Sequence, residues 1–273
     1  MAESKDPLSS PDLLTSIFTS KADANIQRIS KLLSTSSGVD ATLTLVGYGL
    51  FFVGSQVEKL EKLNLKALSH LSSDAAFKAG AKSAFTLADI ASSSKVLAGM
   101  CSDFRTFTRL WGLLGVYGLA KRQYLAPPKD TVLRVVGSAQ TLALGAYYVY
   151  ENGYYLAGKG VLKGWTVEKI TRWAKTSLKL FLVYVLIDFV RLWRVRQLRN
   201  ERKASLLESD QKGTREIKAE ENAWMKTALV DAAYTPLSVH WSSDTWKLSD
   251  GSVGALMSLI GLIKVRTAWA ATA

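Results

Sequence analysis

One carboxylate stands inside an otherwise apolar stretch, Asp188 in LFLVYVLIDFVRLW at residues 180–193. A charge in such surroundings needs a partner, and Arg191, one turn further on, is placed to supply it, so an intramembrane ion pair between Asp188 and Arg191 is expected. The segment from Gly153 to Gly160, GYYLAGKG, almost spells a phosphate-binding loop. Gly160 replaces the Ser or Thr that would bind Mg²⁺, bulky residues replace the flexible loop, and no strand precedes it, so nucleotide binding is not expected. His70 and His240 lack metal-ligand spacing, and packing or surface roles are expected for them. Cys101 is the single cysteine, which excludes an intrachain disulfide and a thiolate cluster and fits a reducing compartment. No catalytic residue, cofactor or metal is expected, and the chain is not read as an enzyme. The run RLWRVRQLRNERK, from Arg191 to Lys203, carries Arg191, Arg194, Arg196, Arg199, Arg202 and Lys203 around Trp193. It lacks a recognisable nucleic-acid fold and follows directly on the apolar stretch from Leu178 to Ile187, so a juxtamembrane anchor for lipid headgroups is expected and nucleic acid is not.

The whole chain supports a membrane partner. Its 273 residues are 48% hydrophobic with mean hydropathy +0.08, above a typical soluble domain and below a chain made mostly of spans. Net charge is +12, and twelve Lys/Arg against three acidic residues between Lys159 and Lys203 account for +9 of it. Such concentration points to one anionic surface. The opening MAESKDPLSS has neither a secretory nor a mitochondrial pattern, and the closing Ala-Thr-Ala is not a peroxisomal matrix address, so internal targeting is expected.

The elements that hold these residues read as helices. The five prolines, Pro7, Pro11, Pro127, Pro128 and Pro236, leave long uninterrupted stretches, which predicts an all-α fold: a membrane-associated helical bundle with amphipathic helices and one or two marginal spans. Residues 1–20 form a polar tail, and 21–273 form a single domain with a charged linker or solvated helix at about 203–222. Gly38 to Asp40 reads as a turn with Asp40 as cap, and Pro236 as a second break before Trp241. Uncharged windows run over Ala41–Val57, Leu110–Ala120, Val135–Tyr150 and Gly251–Ile263, each short of the ~20 residues that cross a bilayer. The third reaches spanning length, Gly137 to Gly158, if Glu151 is tolerated, and the fourth reaches Trp269 if Lys264 and Arg266 snorkel. Gly112, Gly115 and Gly118 suit close helix approach.

Residues 88–114, ADIASSSKVLAGMCSDFRTFTRLWGLL, predict one amphipathic helix. At ~100° per residue Ile90, Leu97, Met100, Phe104, Phe107 and Trp111 share one sector, with Lys95, Arg105 and Arg109 nearly opposite. Six large side chains at ~1.5–3 kcal/mol each give a gross attraction to lipid on the order of 10 kcal/mol, the cations pointing to water. By base rate the same stripe packs onto protein more often than onto lipid.

The order of several segments then carries a resemblance. YYVYENGYYLAGKGVLKGW (Tyr147–Trp165), the helix ending DFVRLWRVRQLRNERK, DATLTLVGYGLFFVGSQ (Asp40–Gln56), DFRTFTRLWGLLGVYGL (Asp103–Leu119) and GSVGALMSLIGLIKVRTAW (Gly251–Trp269) together resemble the peroxin 11 family, in its fungal branch. The resemblance implies a peroxisomal membrane protein that inserts an amphipathic helix into one leaflet, elongates the membrane before fission and sets peroxisome number and size. It also implies self-association, a dynamin-type GTPase with its adaptor, and the peroxisomal membrane-protein import receptor as partners. By position the remodelling helix of the family maps onto 88–114, with Ser92, Ser93 and Ser94 making its first turns less basic than the family pattern. Two alternatives follow: a pore for small metabolites, with Asp188 or Glu151 along a polar path, and a helical adaptor for the fission machinery.

Overall fold

The computed structural model describes residues 18, 20–68, 74–206 and 210–272, with the side chains of 65, 68 and 74–86 left aside. Most of the polar tail and His70 lie outside these residues. Among them every regular element is helical: α1 Lys21–Leu33, α2 Ser36–Leu68, α3 Asp74–Thr108, a 3-10 turn Arg109–Trp111, α4 Gly112–Leu125, α5 Thr131–Gly158, α6 Val167–Ala204, α7 Gln211–Ser242 and α8 Asp250–Ala270. Short polar side chains start them. Ser20, Asp130, Thr166, Asp210 and Ser249 each accept a backbone N–H three residues on, capping α1, α5, α6, α7 and α8, which satisfies donors that a helix start leaves orphaned.

Two antiparallel triplets form, α3 on α2 on α8 and α5 on α6 on α7. On α8, Gly254 lies against Phe52 and Gly261 against Leu45 of α2, while Gly47 of α2 lies against Cys101 of α3. Helix α7 packs on α8 through Ala233, Leu237, Val253, Met257 and Ile260, all buried. The 3-10 turn and α4 lead from α3 to α5, so the helices close a ring. Among the described residues two helices are long and apolar enough to cross a membrane, Ser36–Asn64 within α2 and Asp250–Ala270 as α8. At ~1.5 Å per residue both exceed or match the ~30 Å hydrocarbon core. The stretch Gly137–Gly158 sits within α5 and is not one of them; its Tyr, Thr, Gln and Gly content keeps its hydropathy low.

Three sequence expectations are corrected. Gly38–Asp40 belongs to the first turns of α2, because Thr35 takes the capping role, its hydroxyl accepting from Gly38 N at 3.1 Å and its carbonyl from Val39 N at 2.9 Å. Pro236 lies inside α7, where burial of Ala233 and Leu237 on either side outweighs the lost backbone bond. Residues 88–114 are not one helix: the amide of Asn152 donates to Leu110 O at 3.2 Å, taking a carbonyl that a continuing helix would use, and the chain tightens into the 3-10 turn. Residues 211–222 are the first turns of α7 and mostly exposed, the solvated-helix alternative for that segment.

Candidate functional site

The large apolar residues picked from 88–114 line the outer side of α3 and the 3-10 turn. Ile90, Leu97, Met100, Phe104, Phe107 and Trp111 are each between 45% and 64% exposed. Phe107 and Trp111 meet edge to face at 5.5 Å, and Leu113 and Leu114 extend the patch into α4. The inner side of α3 is built from small residues, Ala91, Ala98 and Cys101, all buried.

The cations of α3 and the 3-10 turn do not point to water. Lys95 is bound to Glu58 and lies 3.6 Å from Asp250. Arg105 is buried and donates through Nε to Asp40 Oδ1 at 2.8 Å. Arg109 grips Glu151 with two contacts of 2.9 Å. The physical reason is that carboxylates distant in sequence lie on the inner wall, and a charge-assisted bond outcompetes hydration once the helix packs. The outer side is thus mostly apolar, with Asp89, Ser93 and Thr108 also exposed on it, while the inner side carries the paired cations among small residues.

These bonds belong to a closed belt where the two triplets meet. From Glu151, which accepts from the Tyr147 hydroxyl at 2.7 Å, it passes to Phe181 at 5.4 Å between ring centroids and then to Tyr234 at 5.1 Å. Lys264 donates to the Tyr234 hydroxyl at 3.2 Å and lies 3.6 Å from Asp40, and Asp40 returns to Arg105 on the turn preceding Arg109. Lys264 therefore faces inward rather than snorkelling, since Asp40 and Tyr234 offer it partners. Within the belt lies a cavity of about 1100 Å³, lined by residues of α2, α3, α4, α5, α6, α7 and α8. Of the two acids expected along a polar path, Glu151 lines it and Asp188 does not.

Asp188 pairs with Arg191 on α6, which is not one of the two candidate spans, and belongs to a larger cluster. It accepts from Arg191 Nε at 2.6 Å and Nη2 at 2.8 Å, and from the Gln140 amide at 2.6 Å. Burial opposes its charge, yet these donors, Arg191 first, hold its pKa below the ordinary carboxylate value. Buried Asp231 of α7 is the opposite case: desolvation and then the neighbouring Asp188 charge push it up to about 8. The rest of the basic run is also engaged within the chain. Arg194 donates to Asp130 at 2.8 and 3.0 Å, and Arg202 pairs with Glu220. Arg196 and Arg199 lie 5.7 and 5.5 Å from the Trp224 ring, Arg199 being buried, while Arg196, Arg202 and Lys203 face outward. Of the six cations expected to face lipid headgroups, Arg196, Arg202 and Lys203 are the exposed ones.

Gly112 makes a close approach, a Cβ there falling 2.2 Å from the Tyr148 ring, whereas Gly115 and Gly118 have nothing within 4 Å. His240 accepts from Leu248 N through Nδ1 at 2.7 Å. Among the described residues no group of His, Cys, Asp or Glu is placed to hold a metal ion. Sequence reasoning missed Asp40, Lys264 and Tyr234 as members of one belt. The usable signal was the isolated Lys264 inside an apolar window, the same signal that singled out Asp188.

A family model described as Peroxisomal biogenesis factor 11 (PEX11) matches residues 82–269. No curated protein and no solved structure matches the chain.

Proposed function

From the premise that the chain belongs to the family of peroxisomal biogenesis factor 11, we propose that it elongates the peroxisomal membrane by seating the outer side of α3 and the 3-10 turn in one leaflet. The observation that carries this reading is the unpartnered apolar side from Ile90 to Trp111 combined with cations locked on the opposite side. Half-exposed as they stand, the six side chains offer on the order of 5 kcal/mol of further apolar burial. A wedge of this kind enlarges one leaflet relative to the other and favours curvature. Self-association and recruitment of a dynamin-type fission GTPase, which the resemblance implies, belong to the same proposal.

The test uses the full chain reconstituted into anionic vesicles, with tubules counted by electron microscopy. Phe104→Glu and Trp111→Glu are expected to abolish tubulation while leaving reconstitution intact. Tubulation by both variants at the wild-type level would show that the patch is not the wedge.

A further inference from the structure

The belt between the two triplets surrounds space rather than a filled core. The cavity, about 1100 Å³, stands at the upper end of the ~300–1,000 Å³ common for ligand pockets. Its charged lining consists of Arg105, Arg109 and Lys264 against Asp40 and Glu151, a surplus of one positive charge. Glu151 is fully engaged by Arg109 and Tyr147. Asp40 is held closely by Arg105 at 2.8 Å and more loosely by Lys264 at 3.6 Å, so Lys264 is the belt cation least committed to a carboxylate.

Much of the remaining wall is apolar, contributed by Leu144, Leu178, Phe181, Trp241 and Met257. Phe104 and Trp111 line the cavity and are also about half exposed on the outer apolar patch, so the cavity reaches the side of the molecule that the preceding reading places against lipid. Unbalanced positive charge in a partly apolar space is costly. An oxyanion on an apolar tail would relieve both the charge and the exposed wall.

We propose that this cavity binds one monoanionic, single-chain amphiphile taken from the membrane, its carboxylate or phosphate against Lys264 and Arg105 and its tail along Leu144, Leu178, Phe181 and Met257. The site shares Phe104 and Trp111 with the outer patch, while Ile90, Leu97, Met100 and Phe107 of that patch do not line it.

The full chain in neutral-lipid nanodiscs, titrated with dibromostearate, reports through quenching of tryptophan fluorescence, since Trp111 and Trp241 line the cavity. Saturable quenching is expected, weakened at least tenfold by Lys264→Met and weakened also by Leu144→Phe with Leu178→Phe, which narrow the apolar wall without touching a charge or adding a tryptophan. Lysophosphatidylglycerol, a monoanionic phosphodiester, competing with dibromostearate would assign a phosphate-headed ligand, and failure to compete a carboxylate; both are forms of the same proposal. Non-saturable quenching equal in wild type and both variants would overturn it as simple partitioning. Displacement by millimolar inorganic phosphate would overturn it in favour of a small-anion site, and discrete conductance steps in planar bilayers without saturable quenching would overturn it in favour of a channel. Loss of tubulation in Met100→Glu, on the patch but outside the cavity lining, with quenching retained would separate the wedge from the cavity.

Discussion

The two helical triplets are joined by different chemistry. Helices α2, α3 and α8 approach on glycine: a Cβ added at Gly261 would come 2.6 Å from Leu45 Cα, one at Gly254 2.7 Å from Phe52 Cα, and one at Gly47 2.8 Å from Cys101 Cβ. Helices α5, α6 and α7 meet on rings and charge, with Tyr150 on Trp173 at 4.6 Å, Trp165 on Trp173 at 4.7 Å, and Asp188 gathering Gln140 and Arg191. Both helices fit to cross a bilayer fall in the first triplet. Close backbone contact does much of the joining there, beside the pairs that Lys95 and Lys264 make with Glu58 and Asp40. In the second triplet large rings take the place of that backbone approach.

The belt where the triplets meet is the most sensitive place to test this contrast. Arg109→Met strands the buried Glu151 carboxylate and is expected to cost about 3–5 kcal/mol, read as a lowered midpoint of thermal unfolding in detergent. Arg109→Met combined with Glu151→Gln should recover most of the loss, and failure to recover would mean that the pair is not the joint. Next in size, Gly261→Leu pushes a side chain into the α2 backbone and is expected to cost about 3 kcal/mol, at the upper end for overpacking. Gly153→Leu meets the Trp173 ring at 2.5 Å, a side chain able to turn aside, and should cost about 1 kcal/mol. Equal costs at the two glycines would erase the distinction drawn between the triplets.

Asp231 supplies a pH-dependent effect with a definite sign. Its pKa rises from 3.8 to about 8 on folding, so the folded chain keeps a proton that the unfolded chain releases, and stability falls as pH rises between those values. Asp231→Asn is expected to raise the unfolding midpoint at pH 8 by several degrees and to change it little at pH 4. A variant whose midpoint keeps the wild-type pH slope would show that another group is responsible. Smallest of all, Gly118→Ala in α4, with nothing within 4 Å of the added methyl, should stabilise by up to ~1 kcal/mol, measured the same way.

Much of this architecture was legible in the residues themselves. The sparse prolines marked out long helices, two of the four uncharged windows fall in the candidate spans, and the wheel drawn on 88–114 separated Phe104 and Trp111 from Arg105 and Arg109. A wheel divides a helix into two faces but does not say which face meets protein. Asp40, 65 residues before Arg105, and Glu151, 42 residues after Arg109, decide that, and no local pattern joins them. Asp40 resembled a cap because a cap is the commonest local use of an Asp after Gly, and Lys264 resembled a snorkelling end because its inward partners lie on other helices. Pro236 was misleading for a related reason: the penalty is local, while the burial that offsets it comes from α8.

Arg105 and Arg109 also fix how the oily side of α3 meets a bilayer. Moored on its inner side to two other helices, this segment reaches lipid as a rigid body already wound, with no coil-to-helix transition left to make. Circular dichroism of the full chain should therefore stay flat on addition of anionic vesicles, and the tilt that the leaflet imposes on α3 passes directly to α2 and α5.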